Sequence, residues 1–253
     1  EYYYHNTIIL STTMRFDIIT IFPEIINAYL NESIIKRARE RGFLDVCIHN
    51  LRDFTEDKHQ KSLPESKRSF GRVDDRPFGG GPGMVMKVEP IVKAIESICG
   101  SRTSAFTDNI AEVGLPHIVV LDAAGKRFDA KKAQQISKKY NHVILIAGHY
   151  EGIDARLKKA LSSKYTVQSI SIGDYVLTGG ELPALVVLDA TARHIPGVLG
   201  DKDSLEEKRY GVGIPTYTRP EVFKYAGKNY RVPKVLLSGN HKKIHEWRRV
   251  HKK

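Results

Sequence analysis

Ser171-Ile172-Gly173-Asp174-Tyr175-Val176-Leu177-Thr178-Gly179-Gly180-Glu181-Leu182-Pro183 packs three glycines and two acids, and no basic residue, into one stretch. Glycine loses more conformational freedom on ordering than any other residue, so a cluster belongs where the backbone turns sharply or meets a ligand closely. The stretch therefore reads as a binding loop. Upstream, Ala147-Gly148-His149-Tyr150-Glu151-Gly152-Ile153-Asp154 repeats the design directly after the apolar run Val143 to Ala147. Two strand-to-glycine-loop units so close together predict one shared site.

Working outward, short apolar runs alternate with helical spacing. Phe16 to Phe22 predicts a strand that Pro23 ends, Glu24 to Arg41 a helix stopped by Gly42, and Leu44 to His49 a second strand. Glu89 to Ile98 predicts a helix, His117 to Leu121 a buried strand before Asp122-Ala123-Ala124-Gly125, and Lys131 to Tyr140 an amphipathic helix. Val143 to Ala147 predicts another strand, with helices over Ile153 to Leu161 and Leu182 to His194. This alternation predicts an α/β fold with a parallel sheet covered on both faces, its ligand at the carboxyl ends of the strands. The loops at Asp122, Gly148 and Gly173 fall there. Asp53 to Arg76 is polar, basic and rich in Ser and Pro, and reads as a long loop.

The chain has 253 residues and a net charge of +11. That length suffices for one large α/β domain plus a small appendage. From Glu221 to Lys253 ten Lys/Arg stand against two acids, so this tail carries +8 of the total. Tyr225, Tyr230 and Trp247 are interleaved with the cations, a composition suited both to phosphate neutralisation with base stacking and to a plain solvated helix face. A helix is expected from Asn240 to His251. No apolar run reaches the length of a membrane span, Glu1 to Thr13 lacks a secretory pattern, and Cys47 and Cys99 are isolated; a reduced, cytoplasmic protein is expected.

Several chemistries lack their signatures. The run Asp74-Asp75-Arg76-Pro77-Phe78-Gly79-Gly80-Gly81-Pro82-Gly83-Met84 is glycine-rich, but Met84 and Val85 follow where a triphosphate cradle needs Lys-Ser/Thr. It reads instead as a substrate-contacting loop with Asp74, Asp75 and Arg76 beside bare backbone. No dinucleotide fingerprint and no nucleophile elbow occur. His241 and His245 have zinc-pair spacing without a third ligand, and Lys242 and Lys243 oppose a cation.

Together these motifs resemble a family. The two glycine loops and the Asp74 to Met84 run are joined in order by Arg52-Asp53-Phe54-Thr55, Ile195-Pro196-Gly197-Val198-Leu199-Gly200, Tyr217-Thr218-Arg219-Pro220-Glu221 and Leu236-Leu237-Ser238-Gly239-Asn240-His241. From Met14 to Trp247 the chain is similar to the bacterial tRNA (guanine-N1)-methyltransferases of the trefoil-knot superfamily. The resemblance implies a deep trefoil knot within the sheet domain, a homodimer, a tRNA substrate, and S-adenosylmethionine as methyl donor. Any Mg2+ would enter through substrate or donor. It also implies four segments: an N-terminal extension (1–13), the knot methyltransferase domain (14–199), an interdomain linker (200–214) and a basic, mainly helical tRNA-binding domain (215–253).

Residue by residue, the resemblance places the donor against Leu121, Asp122, Ala123 and Gly125; against Gly148, Tyr150, Glu151 and Gly152; and against Ile172, Gly173, Asp174, Tyr175, Val176, Leu177, Gly179, Gly180 and Pro183. It gives tRNA contacts to Asp74, Asp75, Arg76, Gly79, Gly80, Ser204 and Arg219. The family's arginine before Ile-Pro-Gly-Val-Leu-Gly maps to Arg193. Its linker aspartate maps, counted without gaps, onto Lys208, with Tyr210 nearby; Glu207 is taken as the catalytic base, with Glu206 and Asp203 as alternatives. Asp174 and Glu181 are expected to fix the loop rather than to act as base. Asp122-Ala123-Ala124 stands where relatives commonly have Ser-Pro and a polar residue, and Lys61 to Arg72 looks like an insertion. A non-catalytic tRNA-binding relative, and a knot-fold methyltransferase acting on a ribose 2′-OH or another RNA position, are the rival readings.

Overall fold

The computed structural model describes residues 13–55, 71–100, 115–200, 205 and 213–251. The N-terminal extension, most of the Lys61 to Arg72 segment, and Asp203, Ser204, Glu206, Glu207, Lys208 and Tyr210 lie outside the described residues. The chain forms two compact units, Glu1–Leu199 and Gly200–Lys253.

In the first unit, β1 (Met14–Thr20), β2 (Leu44–Asn50), β5 (His117–Arg127), β6 (His142–Ile146) and β7 (Thr166–Ser171) form one sheet in the order β2-β1-β6-β5-β7. Every pairing in it is parallel. The central strands are apolar on both faces, as burial from two sides requires. Phe16, Ile18, Val143 and Leu145 meet a layer containing α1 (Pro23–Leu30), α2 (Ser33–Glu40), α4 (Ala130–Lys139) and α6 (Glu181–Ala192). Ile19, Ile144 and Ile146 meet the opposite layer of α3 (Val88–Gly100) and α5 (Arg156–Leu161). A small antiparallel pair, β3 (Asp74–Asp75) and β4 (Val85–Met86), brackets the glycine-proline run.

Three elements of this unit differ from expectation. The single helix expected over Glu24 to Arg41 is two helices. Glu32 is extended and Ser33 has φ 52°, so the backbone breaks where the polar Asn31-Glu32-Ser33 offers no apolar side chain to the core. The strand at His117 continues to Arg127, and its pairing with β7 shifts register between Leu121 and Lys126. The Asp122–Gly125 turn is thus a bulge within a strand. β7 carries only Val167 and Ile170 as apolar residues, because it is a sheet edge, and so gave little sequence signal.

One charge sits in the sheet interior. Asp17 is fully buried on β1, bonded to Arg15 Nε at 2.7 Å, His49 Nε2 at 2.6 Å and His142 Nε2 at 2.6 Å. Burial alone would raise its carboxyl, but the bonds from His142, His49 and Arg15 outweigh it and hold the group well below the usual carboxylate range.

The second unit contains a hairpin, β8 (Val222–Tyr225) and β9 (Lys228–Arg231), then α7 (Lys234–Leu237) and α8 (His241–Val250). Ala226 and Gly227, with φ 47° and 74°, make the tight connection. The side chain of Asn240 caps α8 by accepting from the Lys243 amide at 3.1 Å. The hairpin was not expected: its strands read as part of a basic, helical tail.

His117, at the start of β5, is buried and stacked on Tyr140 with ring centroids 4.2 Å apart. Burial, reinforced by Lys132, lowers its pKa from 6.5 to about 4. The unfolded chain therefore binds a proton that the folded chain refuses between these values, so stability falls as pH drops from 6.5 to 4. In urea titrations His117→Phe should flatten this fall, which in the parent approaches ~3 kcal/mol by linkage.

Candidate active site

The two glycine loops meet backbone to backbone. The Gly180 amide donates to the Gly148 carbonyl at 2.7 Å. A Cβ on Gly180 would lie 2.6 Å from Gly148 N and 2.7 Å from Ala147 Cα, so no side chain fits there. His149 and Gly179 form an isolated antiparallel bridge beside this contact.

Under the bridge lies a buried carboxylate. Glu181, 3% exposed at the first position of α6, accepts from Thr20 Oγ1 at 2.7 Å. Thr20 Oγ1 in turn accepts the Phe22 amide at 2.9 Å, which leaves its proton for Glu181. The other carboxylate oxygen stands 3.8 Å from His149 Nδ1, within ion-pair range but too far for a hydrogen bond. The helix N-terminus favours the negative charge. Thr20 at the end of β1 and His149 after β6 thereby meet Glu181 at the start of α6.

The Gly148 loop is also strapped from below by β4. Glu151 N–H donates to Met84 O at 3.0 Å, Met86 N–H to Gly152 O at 2.9 Å, and Asp154 N–H to Met86 O at 3.1 Å. This is the structural use of the segment that ends the Asp74 to Met84 run.

Between the loops is a cavity of about 490 Å³, lined by residues 120–123, 148–155, 170–173 and 175–180 together with Leu157, Lys158 and Pro183. The volume suits a small organic ligand. Its walls mix Leu121, Ile153, Ile172 and Leu177 with backbone of glycine loops, a surface for a flat apolar ring whose polar edge bonds main chain. Of the residues assigned to the donor, Gly125 and Asp174 are not among the lining. Gly125 lies under β7, where a Cβ would come within 2.6 Å of Ile170 N. Asp174 points outward to Arg127 at 3.1 Å.

The remaining assignments fall elsewhere. Asp74, Asp75, Arg76, Gly79 and Gly80 do not line the cavity; Asp75 bonds the Arg76 amide at 2.9 Å and pairs with Lys87 at 3.4 Å. Arg193 is the half-buried C-cap of α6, thirteen residues and roughly 20 Å of helix from Gly180 of the glycine contact. Arg219 lines a groove of the second unit with Tyr217 and Trp247. Ser204 and Glu207 are outside the described residues. Several cavity residues were not assigned to the donor in the sequence, His149 and Lys158 among them. Lys158 pairs with Asp122 at 3.3 Å on the rim, and His149 Nδ1 faces Glu181 at 3.8 Å.

A parallel sheet with a cavity built from the loops at its strand ends defines an α/β protein of the kind whose ligand sites lie at the carboxyl ends of the strands. The family model described as tRNA (Guanine-1)-methyltransferase TrmD matches residues 14–253. The chain is 45% identical over 239 residues to the tRNA (guanine-N(1)-)-methyltransferase of Dictyoglomus turgidum, covering 93% of this chain and 84% of that protein. It is 47% identical to the protein of the same name from Clostridioides difficile, covering 93% and 91%. The chain belongs to the TrmD family of tRNA (guanine-1)-methyltransferases.

Thr20→Val should leave Glu181 Oε1 without its donor, at ~1–3 kcal/mol of stability. Thr20→Ser should restore most of it. Thermal or urea unfolding of both variants checks the assignment.

Proposed function

We propose that this chain transfers a methyl group from S-adenosylmethionine to N1 of the guanine just 3′ of the anticodon in tRNA. Family membership gives the enzyme class, the guanine and the tRNA. The observation that carries the donor assignment is the cavity whose walls combine apolar side chains with bare backbone of three glycine-bearing loops. Main-chain N–H and C=O within about 3 Å can read an adenine edge only where side chains do not intervene. The residues holding the donor are those of 121–123, 148–152, 172–173 and 175–180 with Pro183; Gly125 and Asp174 shape the loops around it. When bound, this donor supplies a methyl group already activated on a sulfonium.

The chain's own tasks are then positioning and deprotonation. Neutral guanine carries a proton on N1 and is a poor nucleophile there until a carboxylate removes it. Glu207 is assigned that role, with Glu206 and Asp203 as the competing linker acids. The Arg193 guanidinium is assigned to the negative charge that develops on O6 as the proton leaves. Asp74, Asp75, Arg76, Gly79, Gly80, Ser204 and Arg219 are assigned to the RNA, and the basic segment 215–253 to its anticodon stem-loop. The guanine is taken out of its stack to react. Any magnesium requirement belongs to substrate or donor.

Two structural readings accompany this. The Gly180 contact on Gly148 is the close loop passage a trefoil knot demands, and supports one in 14–199. A homodimer is supported by an apolar face shared by α1 and α6. Ile25 and Tyr29 on α1, and Leu182 and Val186 on α6, are exposed, while a Tyr29 to Asp189 bond of 2.5 Å joins the helices. Leu182→Glu with Val186→Glu should shift the protein from dimer to monomer by sedimentation. No described helix is long and apolar enough to cross a membrane; the site of action proposed is the cytoplasm, with the tRNA pool.

Labelled donor should mark a tRNA with guanine at that position and leave one with adenine there unmarked, and nuclease mapping should place the label on that nucleotide. Label at a ribose or elsewhere would favour the rival methyltransferase reading; no label despite tRNA binding, the non-catalytic one. Glu207→Gln should cut turnover by at least a hundredfold with tRNA binding retained. If only Asp203→Asn or Glu206→Gln does so, the base moves to that residue.

A further inference from the structure

The β8–β9 hairpin presents aromatic rings to solvent. Phe223, Tyr225 and Tyr230 are 56%, 66% and 52% exposed. Registry puts them on one face: Phe223 pairs directly with Tyr230, Tyr225 with Lys228, and residues two apart on a strand point the same way. The rings are ordered against one another. Phe223 and Tyr225 lie nearly parallel, 8° apart with centroids at 6.2 Å, and Tyr230 is 6.3 Å from Phe223.

An exposed aromatic ladder on a two-stranded ribbon needs an occupant, since isolated ribbons gain little from rings left in water. Its surroundings select one. Lys228 shares the aromatic face, Lys224 and Arg231 flank it on the reverse, and Glu221 is the only acid from Glu221 to Arg231. Flat π-faces beside cations match an unpaired nucleobase and its phosphate. A protein interface would also use aromatic rings, but it would be depleted in lysine, and here Lys224 and Lys228 stand among the rings.

We propose that the Phe223-Tyr225-Tyr230 face is a stacking platform for unpaired bases of the tRNA anticodon loop, with Lys228 on an adjacent phosphate. This deepens the tRNA reading above and rests on it. The tight turn at Ala226 and Gly227 fixes the two strands in the register that puts the three rings on one face.

The test uses the full chain and tRNA carrying guanine 3′ of the anticodon. Tyr225→Leu and Phe223→Leu each remove a π-face but keep apolar bulk, and each should weaken tRNA binding about tenfold without changing its salt dependence. Tyr225→Phe should bind like the parent. Lys228→Gln should lower the slope of log Kd against log salt by about one. A hairpin RNA with its loop replaced by duplex should be indifferent to both Leu substitutions. 2-Aminopurine placed in turn at the loop positions reports stacking on the unmodified protein, and its fluorescence should be quenched at one or more of them. Tyr225→Leu binding within twofold of the parent, equal weakening on duplex RNA, or no quenching at any loop position overturns the platform. So does a change of oligomeric state on Tyr225→Leu with unaltered tRNA affinity, which would make the face a contact between copies. A parent protein that binds no tRNA sinks the functional reading instead.

Discussion

A single backbone contact organises the catalytic unit: the Gly180 amide on the Gly148 carbonyl at 2.7 Å. It brings the loop after β7 directly onto the loop after β6, with no room for even a methyl group between them. Since β6 is central and β7 is at the edge, this contact draws the edge strand's loop across β5. The cavity is the space left under that crossing. Part of its wall is bare main chain because the crossing excludes side chains there, so the same constraint that shapes the fold exposes backbone N–H and C=O to the cavity.

Two buried carboxylates support the arrangement from different ends of the sheet. Asp17 bridges β1, β2 and β6 through Arg15, His49 and His142, on the side away from the loops. Glu181 links β1 to the start of α6 through Thr20. Burying either charge is costly unless it is fully bonded. The geometry they achieve is specific: the strand ends are held in register where the ligand loops begin. The Asp122–Lys158 ion pair on the rim is a local feature.

Much of this was legible in the residues. Glycine clusters after apolar runs located the three cavity loops, because glycine reports close backbone approach directly. Resemblance supplied the chemistry, which composition could not have given. What stayed hidden depended on partners far apart in sequence. Nothing near Glu181 announces that Thr20, on the first strand, will bond it. The edge strand β7 was faint because one side of it is unpaired and its residues are mostly polar. The break at Ser33 overrode a plausible helical period, and the β8–β9 hairpin was masked by the charges that make it an RNA-binding candidate.

The central claim is that the methyl donor occupies the glycine-loop cavity. Photolabelling with an 8-azidoadenosyl analogue of the donor, followed by peptide mapping, tests it directly. The account predicts label on peptides spanning 118–127, 148–158 or 170–183, suppressed by S-adenosylhomocysteine. Suppressible label confined to 213–251, or to the exposed 76–83 loop, would contradict it.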